Sequence, residues 1–84
     1  MYDVRWSETA IRELAKLPKA VSRRIIEKVE FISNDPYIFV NKLKGFDLYK
    51  LRVGNYRVIM SIERNKMIIF VLEVGHRSTI YHGY

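Results

Sequence analysis

Residues 48–57, LYKLRVGNYR, restrict the possible folds of this chain more than any other stretch. The side chains alternate as those of a β-strand do: Tyr49, Leu51 and Val53 point one way, Lys50 and Arg52 the other. Gly54-Asn55 then supplies two residues that tolerate the positive φ of a tight hairpin turn. A two-residue loop sets Val53 opposite Tyr56. Arg52 then faces Arg57 on the side that already carries Lys50. Like charges directly opposite on a sheet repel, so three cations gathered on one strand face point to an anionic partner.

The rest of the chain reads as a support for that hairpin. Tyr2, Val4 and Trp6 alternate with Asp3 and Arg5, which predicts a short first strand. Ser7 is a good helix N-cap, and Glu8 suits the first turn of the helix dipole. Ala10, Ile11, Leu14 and Leu17 recur at helical spacing until Pro18, which ends one helix and can open the next. Val21, Ile25, Val29 and Ile32 predict the buried stripe of that second helix, with Arg23, Arg24, Glu27, Lys28 and Glu30 largely on its wet side. Asn34-Asp35-Pro36 stops it, so the two helices form an αα-hairpin. Residues 37–47 have no clear period, although 41–45 can hold a short edge strand or bulge. Strands are expected at 48–53, 56–63 and 67–74.

The second hairpin allows two registers. A three-residue loop, Arg64-Asn65-Lys66, gathers Tyr56, Val58, Met60 and Ile62 with Ile68, Phe70, Leu72 and Val74 on one apolar face. A two-residue loop mixes Arg57 with Phe70 and Leu72. Register follows the buried face, so the longer loop is expected, with Arg57 opposite Glu73. The same parity carries Arg77 onto the face of Lys50, Arg52 and Arg57. The expected class is α+β, in the order β-α-α-β-β-β. The N-terminal strand and helical hairpin pack on one face of a twisted, mainly antiparallel sheet, and residues 1–84 make a single domain.

Composition narrows the function. The chain of 84 residues carries a net charge of +6. Residues 1–41 hold seven Lys or Arg against six Asp or Glu; residues 42–84 hold eight against three. The excess sits on the sheet half, which fits a nucleic-acid partner. There is no cysteine, which excludes disulfides and thiolate metal sites and suits a reducing cytoplasm. No apolar run approaches the ~20 residues of a membrane span, and the start lacks the charged-then-apolar pattern of a signal peptide. No membrane partner is expected.

Taken singly, Arg57 reads as an ion-pair partner of Glu73, and Lys50 and Arg52 as a solvated face. Exposed ion pairs return only ~0–1 kcal/mol, so one carboxylate accounts poorly for four converging cations. A phosphodiester, which accepts bidentate and charge-assisted hydrogen bonds, accounts for them better. His76, Arg77, Tyr81 and Tyr84 add a further cation and aromatic rings of the kind on which unstacked bases lie. Lys42 and Lys44 widen the positive field. His76 and His82 with no carboxylate pair at ligand spacing give no metal site, and no Gly-rich phosphate loop appears, so no cofactor is expected.

The element order, NKLKG before the hairpin, LYKLRVGNYRVIM across it and VGHRSTIY after it together resemble the RelE/ParE toxin superfamily of type II toxin–antitoxin modules, nearer its RelE branch. That resemblance implies a ribosome-dependent endoribonuclease that cuts messenger RNA in the A site without a metal. By position, Lys50 and Arg52 match the family's two cations on the second strand, Arg57 the arginine after the third strand's tyrosine, Arg77 the arginine of the glycine-containing turn and Tyr81 its C-terminal tyrosine. Lys50 or Tyr81 would then take the 2′ proton. The resemblance also implies an acidic, RelB-like antitoxin, the ribosome and mRNA as partners, and operator DNA met only through the antitoxin complex. Two alternatives stand beside it: a ParE-like non-catalytic gyrase inhibitor, and an inactive antitoxin-binding co-repressor module.

Overall fold

The computed structural model describes residues 1–78. Strand β1 (Asp3–Trp6) leads into helices α1 (Glu8–Ala15) and α2 (Lys19–Ile32). A single 3-10 turn at Pro36–Ile38 follows, then β2 (Asn41–Lys42), β3 (Tyr49–Val53), β4 (Tyr56–Glu63) and β5 (Ile68–His76). The strands form one sheet in the order β1-β5-β4-β3-β2. Its pairings are antiparallel except that β1 runs parallel to β5. The chain is thus α+β in the expected order, with the N-terminal strand joined to the sheet at its edge and the edge strand within 41–45 realised as β2.

Local chemistry sets the helices as the sequence foretells. Ser7 caps α1, its Oγ accepting from the Ala10 N–H at 3.0 Å. The Ser22 hydroxyl donates to the Leu14 carbonyl at 2.6 Å, adding to the Leu17 N–H that the same carbonyl accepts, and ties the two helices together. Ile25, Val29 and Ile32 on α2 are fully buried against Leu51, Val53, Val58, Met60, Ile69, Val71 and Val74 of the sheet. Val21 lies at the margin of that core.

The first hairpin has the expected register: Val53 pairs with Tyr56 and Arg52 with Arg57, across a turn in which Gly54 has φ +59°. The second does not. Glu63 pairs with Ile68, so the connection is four residues long, closing through Met67 at φ +53°. Ile69 and Val71 therefore enter the core in place of Ile68, Phe70 and Leu72. Phe70 faces out beneath the Arg5 guanidinium, 5.9 Å from its ring centroid. The cause is β1. Segment 68–72 is apolar at every position and carries no parity of its own, whereas β1 alternates cleanly and pairs Val4 with Ile69 and Trp6 with Val71.

At Leu72 the ladder slips by one residue. Met60 pairs with Val71 but Ile59 pairs with Glu73, a β-bulge that reverses the parity of β5. Helix α1 holds the bulge. The Ser7 hydroxyl donates to the Leu72 carbonyl at 2.8 Å, and the Val74 N–H donates to Glu13 Oε1 at 2.7 Å. Beyond the bulge Val74 faces the core, while Glu73 and Gly75 face away from it. Arg57 consequently lies opposite Gly75, and the expected pairing with Glu73 is replaced by Ile59 opposite Glu73. No helix among the described residues is long and apolar enough to cross a membrane.

Candidate functional site

The sheet face turned away from the helices carries the basic groups in rows. One row runs Lys50, Ile59, Glu73 across β3, β4 and β5; the next runs Arg52, Arg57, Gly75. Direct neighbours in such rows have Cβ atoms ~4.5–5.5 Å apart, so the side chains of Arg52 and Arg57 leave the sheet side by side, with Lys50 two residues along the same strand. Arg77 follows the end of β5, and its N–H donates to the Asn55 carbonyl at 3.0 Å. That bond fastens the Arg77 segment to the β3–β4 turn, beside Arg52 and Arg57. Lys50 and Arg57 are half-buried, and Arg52 and Arg77 are exposed.

Electrostatics on this face are unbalanced. Arg52 sits directly opposite Arg57, and like charges so placed on a sheet repel. Arg52 is held by its Nε–H, which donates to the Gly54 carbonyl at 3.3 Å. The one carboxylate in these rows is Glu73, whose Oε2 is buried and has no hydrogen-bond partner among the described residues. A buried bare carboxylate oxygen calls for a cation or donor nearby, and the surrounding Lys and Arg side chains provide the positive field. Glycine at position 75 contributes no side chain beside Arg57, and Ile59, with no exposure, floors the first row.

Other candidates fall elsewhere. Asn41, not Lys42, pairs with Lys50; Lys42 pairs with Tyr49 and so lies on the helix side of the edge. Lys44 is exposed in the loop before β3. The bulge leaves His76 opposite Tyr56, the rings edge-on at 5.6 Å, on the side away from Arg57. His76 Nδ1 also lies 2.9 Å from Ser78 Oγ. Tyr81 and Tyr84 lie outside the described residues. A separate aromatic group joins Tyr37 to Tyr2 and Tyr49 edge-on, with the Arg64 guanidinium 4.7 Å above the Tyr37 ring. Burial, with the neighbouring Tyr49 and Tyr2, pushes the Tyr37 phenol above its ordinary range despite Arg64.

A groove of about 720 Å³ lies between α1 and α2 and is lined mainly by apolar groups, among them Trp6, Ile11, Leu14, Leu17 and Ile26. Its two cations, Lys19 and Arg23, share a mainly apolar lining with Glu27, whereas Lys50, Arg52 and Arg57 lie in adjacent rows of one sheet face, so the basic sheet face is the candidate site for phosphate chemistry.

Residues 4–81 match the family described as the ParE toxin of type II toxin–antitoxin system, parDE. The mRNA interferase toxin RelE of Escherichia coli (strain K12) is 34% identical over 85 residues, covering 95% of this chain and 90% of that protein. Among solved structures, the toxin–antitoxin complex RelBE2 from Mycobacterium tuberculosis contains a chain that superposes with a TM-score of 0.85 at 29% identity, covering 90% of this chain and 98% of that one. The archaeal RelE–RelB complex from Pyrococcus horikoshii gives a TM-score of 0.80 at 34% identity, covering 93% and 97%.

Proposed function

The chain belongs to the ParE toxin family of type II toxin–antitoxin systems as a RelE-like toxin, and we propose that it is an endoribonuclease that cuts messenger RNA in the ribosomal A site. The observation that carries this reading is the facing pair Arg52–Arg57, flanked by Lys50 and by the fastened Arg77 segment. Two guanidinium groups in one row suit the non-bridging oxygens of a single phosphodiester, which they can grip bidentately.

The 2′-hydroxyl of the nucleotide attacks the adjacent phosphorus and the 5′-oxygen departs, leaving a 2′,3′-cyclic phosphate. Negative charge builds on the phosphorane, and Arg52 and Arg57 meet it without rearrangement. Arg77 stabilises the phosphate or the leaving 5′-oxygen. Lys50 or Tyr81 takes the 2′ proton. No metal ion enters this scheme. Lys42, Lys44 and His76 stand outside the reacting centre and add only to the overall attraction for polyanions, and Tyr84 is assigned to the bound RNA.

An antitoxin partner is supported by the RelB-bound state of the similar structures. An acidic one complements a chain of net charge +6, and the apolar groove between α1 and α2 offers its hydrophobic side a seat. Operator DNA is met through that complex.

The ParE name of the matching family keeps one other reading beside this one, the ParE-like gyrase inhibitor that does no chemistry. Expression in a sensitive cell separates the two. Growth arrest with translating mRNA cut inside codons is the expected result. A DNA-damage response with intact mRNA overturns the nuclease reading, and the absence of any toxicity leaves a co-repressor module.

A further inference from the structure

We propose that the groove between α2 and the β3–β4 turn is a second phosphate subsite, holding the backbone of the same RNA strand next to the scissile linkage; it rests on the nuclease reading above. Three cations meet there from two parts of the chain. Arg24 of α2 lays its guanidinium on Gly54: a Cβ at position 54 would stand 2.5 Å from Arg24 Nη2 and 3.3 Å from Cζ. Any larger residue would displace it. Arg52 bonds the carbonyl of the same glycine, so two guanidinium groups flank one turn residue. Lys28, one helical turn beyond Arg24, is steadied by Phe31 and Phe39, whose ring centroids are 5.5 Å and 5.4 Å from Nζ.

The groove these residues line has a volume of about 420 Å³, within the ~300–1,000 Å³ of ligand clefts and too large for a lone ion. One carboxylate, Glu27, also lines it. No ion pair joins Arg24, Lys28 or Arg52 to Glu27 or to another carboxylate among the described residues. Phe31 is 60% exposed at the rim. A cationic groove edged by an exposed ring is how single-stranded nucleic acid is held without sequence preference: cations follow the backbone and the ring stacks on a base.

Continuity selects RNA over other polyanions. Arg52 belongs both to this groove and to the row it shares with Arg57. A strand with its scissile phosphate at Arg57 therefore passes Arg52 and rounds the turn into the Arg24–Lys28 groove without leaving positive surface. The helical pattern of the sequence places Arg24 and Lys28 on the wet side of α2 and gives no sign that they meet the turn.

The test is fluorescence anisotropy with a labelled single-stranded RNA octamer and the purified full chain, at ~50 to ~200 mM salt. Arg24→Ala and Lys28→Ala are each expected to raise Kd about tenfold to a hundredfold, the worth of one charge-assisted hydrogen bond. The slope of log K against log salt should fall by ~0.7 for each phosphate no longer neutralised. Unchanged melting curves for the two α2 variants show that the fold is kept. An Arg24→Ala/Lys28→Ala double variant with the parent's Kd and salt slope overturns the subsite. So does a parent chain that does not bind the octamer, or a double variant that loses only antitoxin binding. If the double variant binds RNA weakly but the parent cuts no mRNA on ribosomes, the subsite stands and the nuclease reading falls.

Discussion

Replacing Glu13 with alanine removes the acceptor that holds the bulge of β5. The Val74 N–H donates to its carboxylate at 2.7 Å, and Val74 is only 1% exposed, so water does not take over the bond freely. Hydrogen bonds to charged groups contribute ~1.5–3 kcal/mol, and a buried donor left bare costs ~1–3 kcal/mol. A loss of about 2 kcal/mol follows. For a domain of this size each kcal/mol moves Tm by ~4–8 °C, so Glu13→Ala should melt ~8–16 °C below the parent. Glu13→Gln keeps an uncharged acceptor of roughly half the strength and should recover about half of the loss. Thermal denaturation followed by circular dichroism reads both. RNA cutting should weaken in parallel, because the bulge turns Glu73 and Gly75, and with them the approach to Arg77, toward Arg57. If Glu13→Ala melts within ~2 °C of the parent, or Gln is no better than Ala, the bond does not carry the bulge.

Two further predictions probe the core and the aromatic group. Ile25→Ala opens a cavity under a fully buried side chain and should cost ~2–5 kcal/mol, read as a loss of denaturation midpoint with unchanged m-value. Tyr37 has its phenol pKa raised by burial, so its contribution is fully present below the ordinary value of 10.0 and is lost as pH rises through the folded-state value. The alkaline fall in Tm should therefore be shallower in Tyr37→Phe than in the parent.

Much of this architecture is written locally. Gly54-Asn55 sets the first hairpin to the residue, and with it the opposition of Arg52 and Arg57, because a two-residue turn leaves one register. Ser7 and Pro18 mark the helix boundaries for equally local reasons. Strand β5 defeats local reasoning. IIFVL is apolar on both faces, and its parity comes from β1, some sixty residues earlier, through parallel pairing. The bulge then reverses that parity by means of Ser7 and Glu13, which no pattern within β5 reveals. Arg57 lies opposite Gly75 rather than the expected Glu73, and the Arg77 N–H bonds the Asn55 carbonyl, because the register expected for β5 fails at Ile68, Phe70 and Leu72. His76 and Lys42 fall on the other side because strand parity, not basic character, decides which face a side chain takes. The meeting of Arg24 with Gly54 is likewise invisible to spacing, since it joins a helix to a turn distant in sequence.

The most direct measurement is the single-turnover rate at which saturating toxin cuts mRNA on programmed ribosomes, for the parent against Arg57→Ala and Arg77→Ala. Loss of one fixed group that stabilises the phosphorane should slow cutting by ~10²–10³ while the melting curve stays in place. Two correctly folded variants that cut within about twofold of the parent would place the chemistry elsewhere on the molecule.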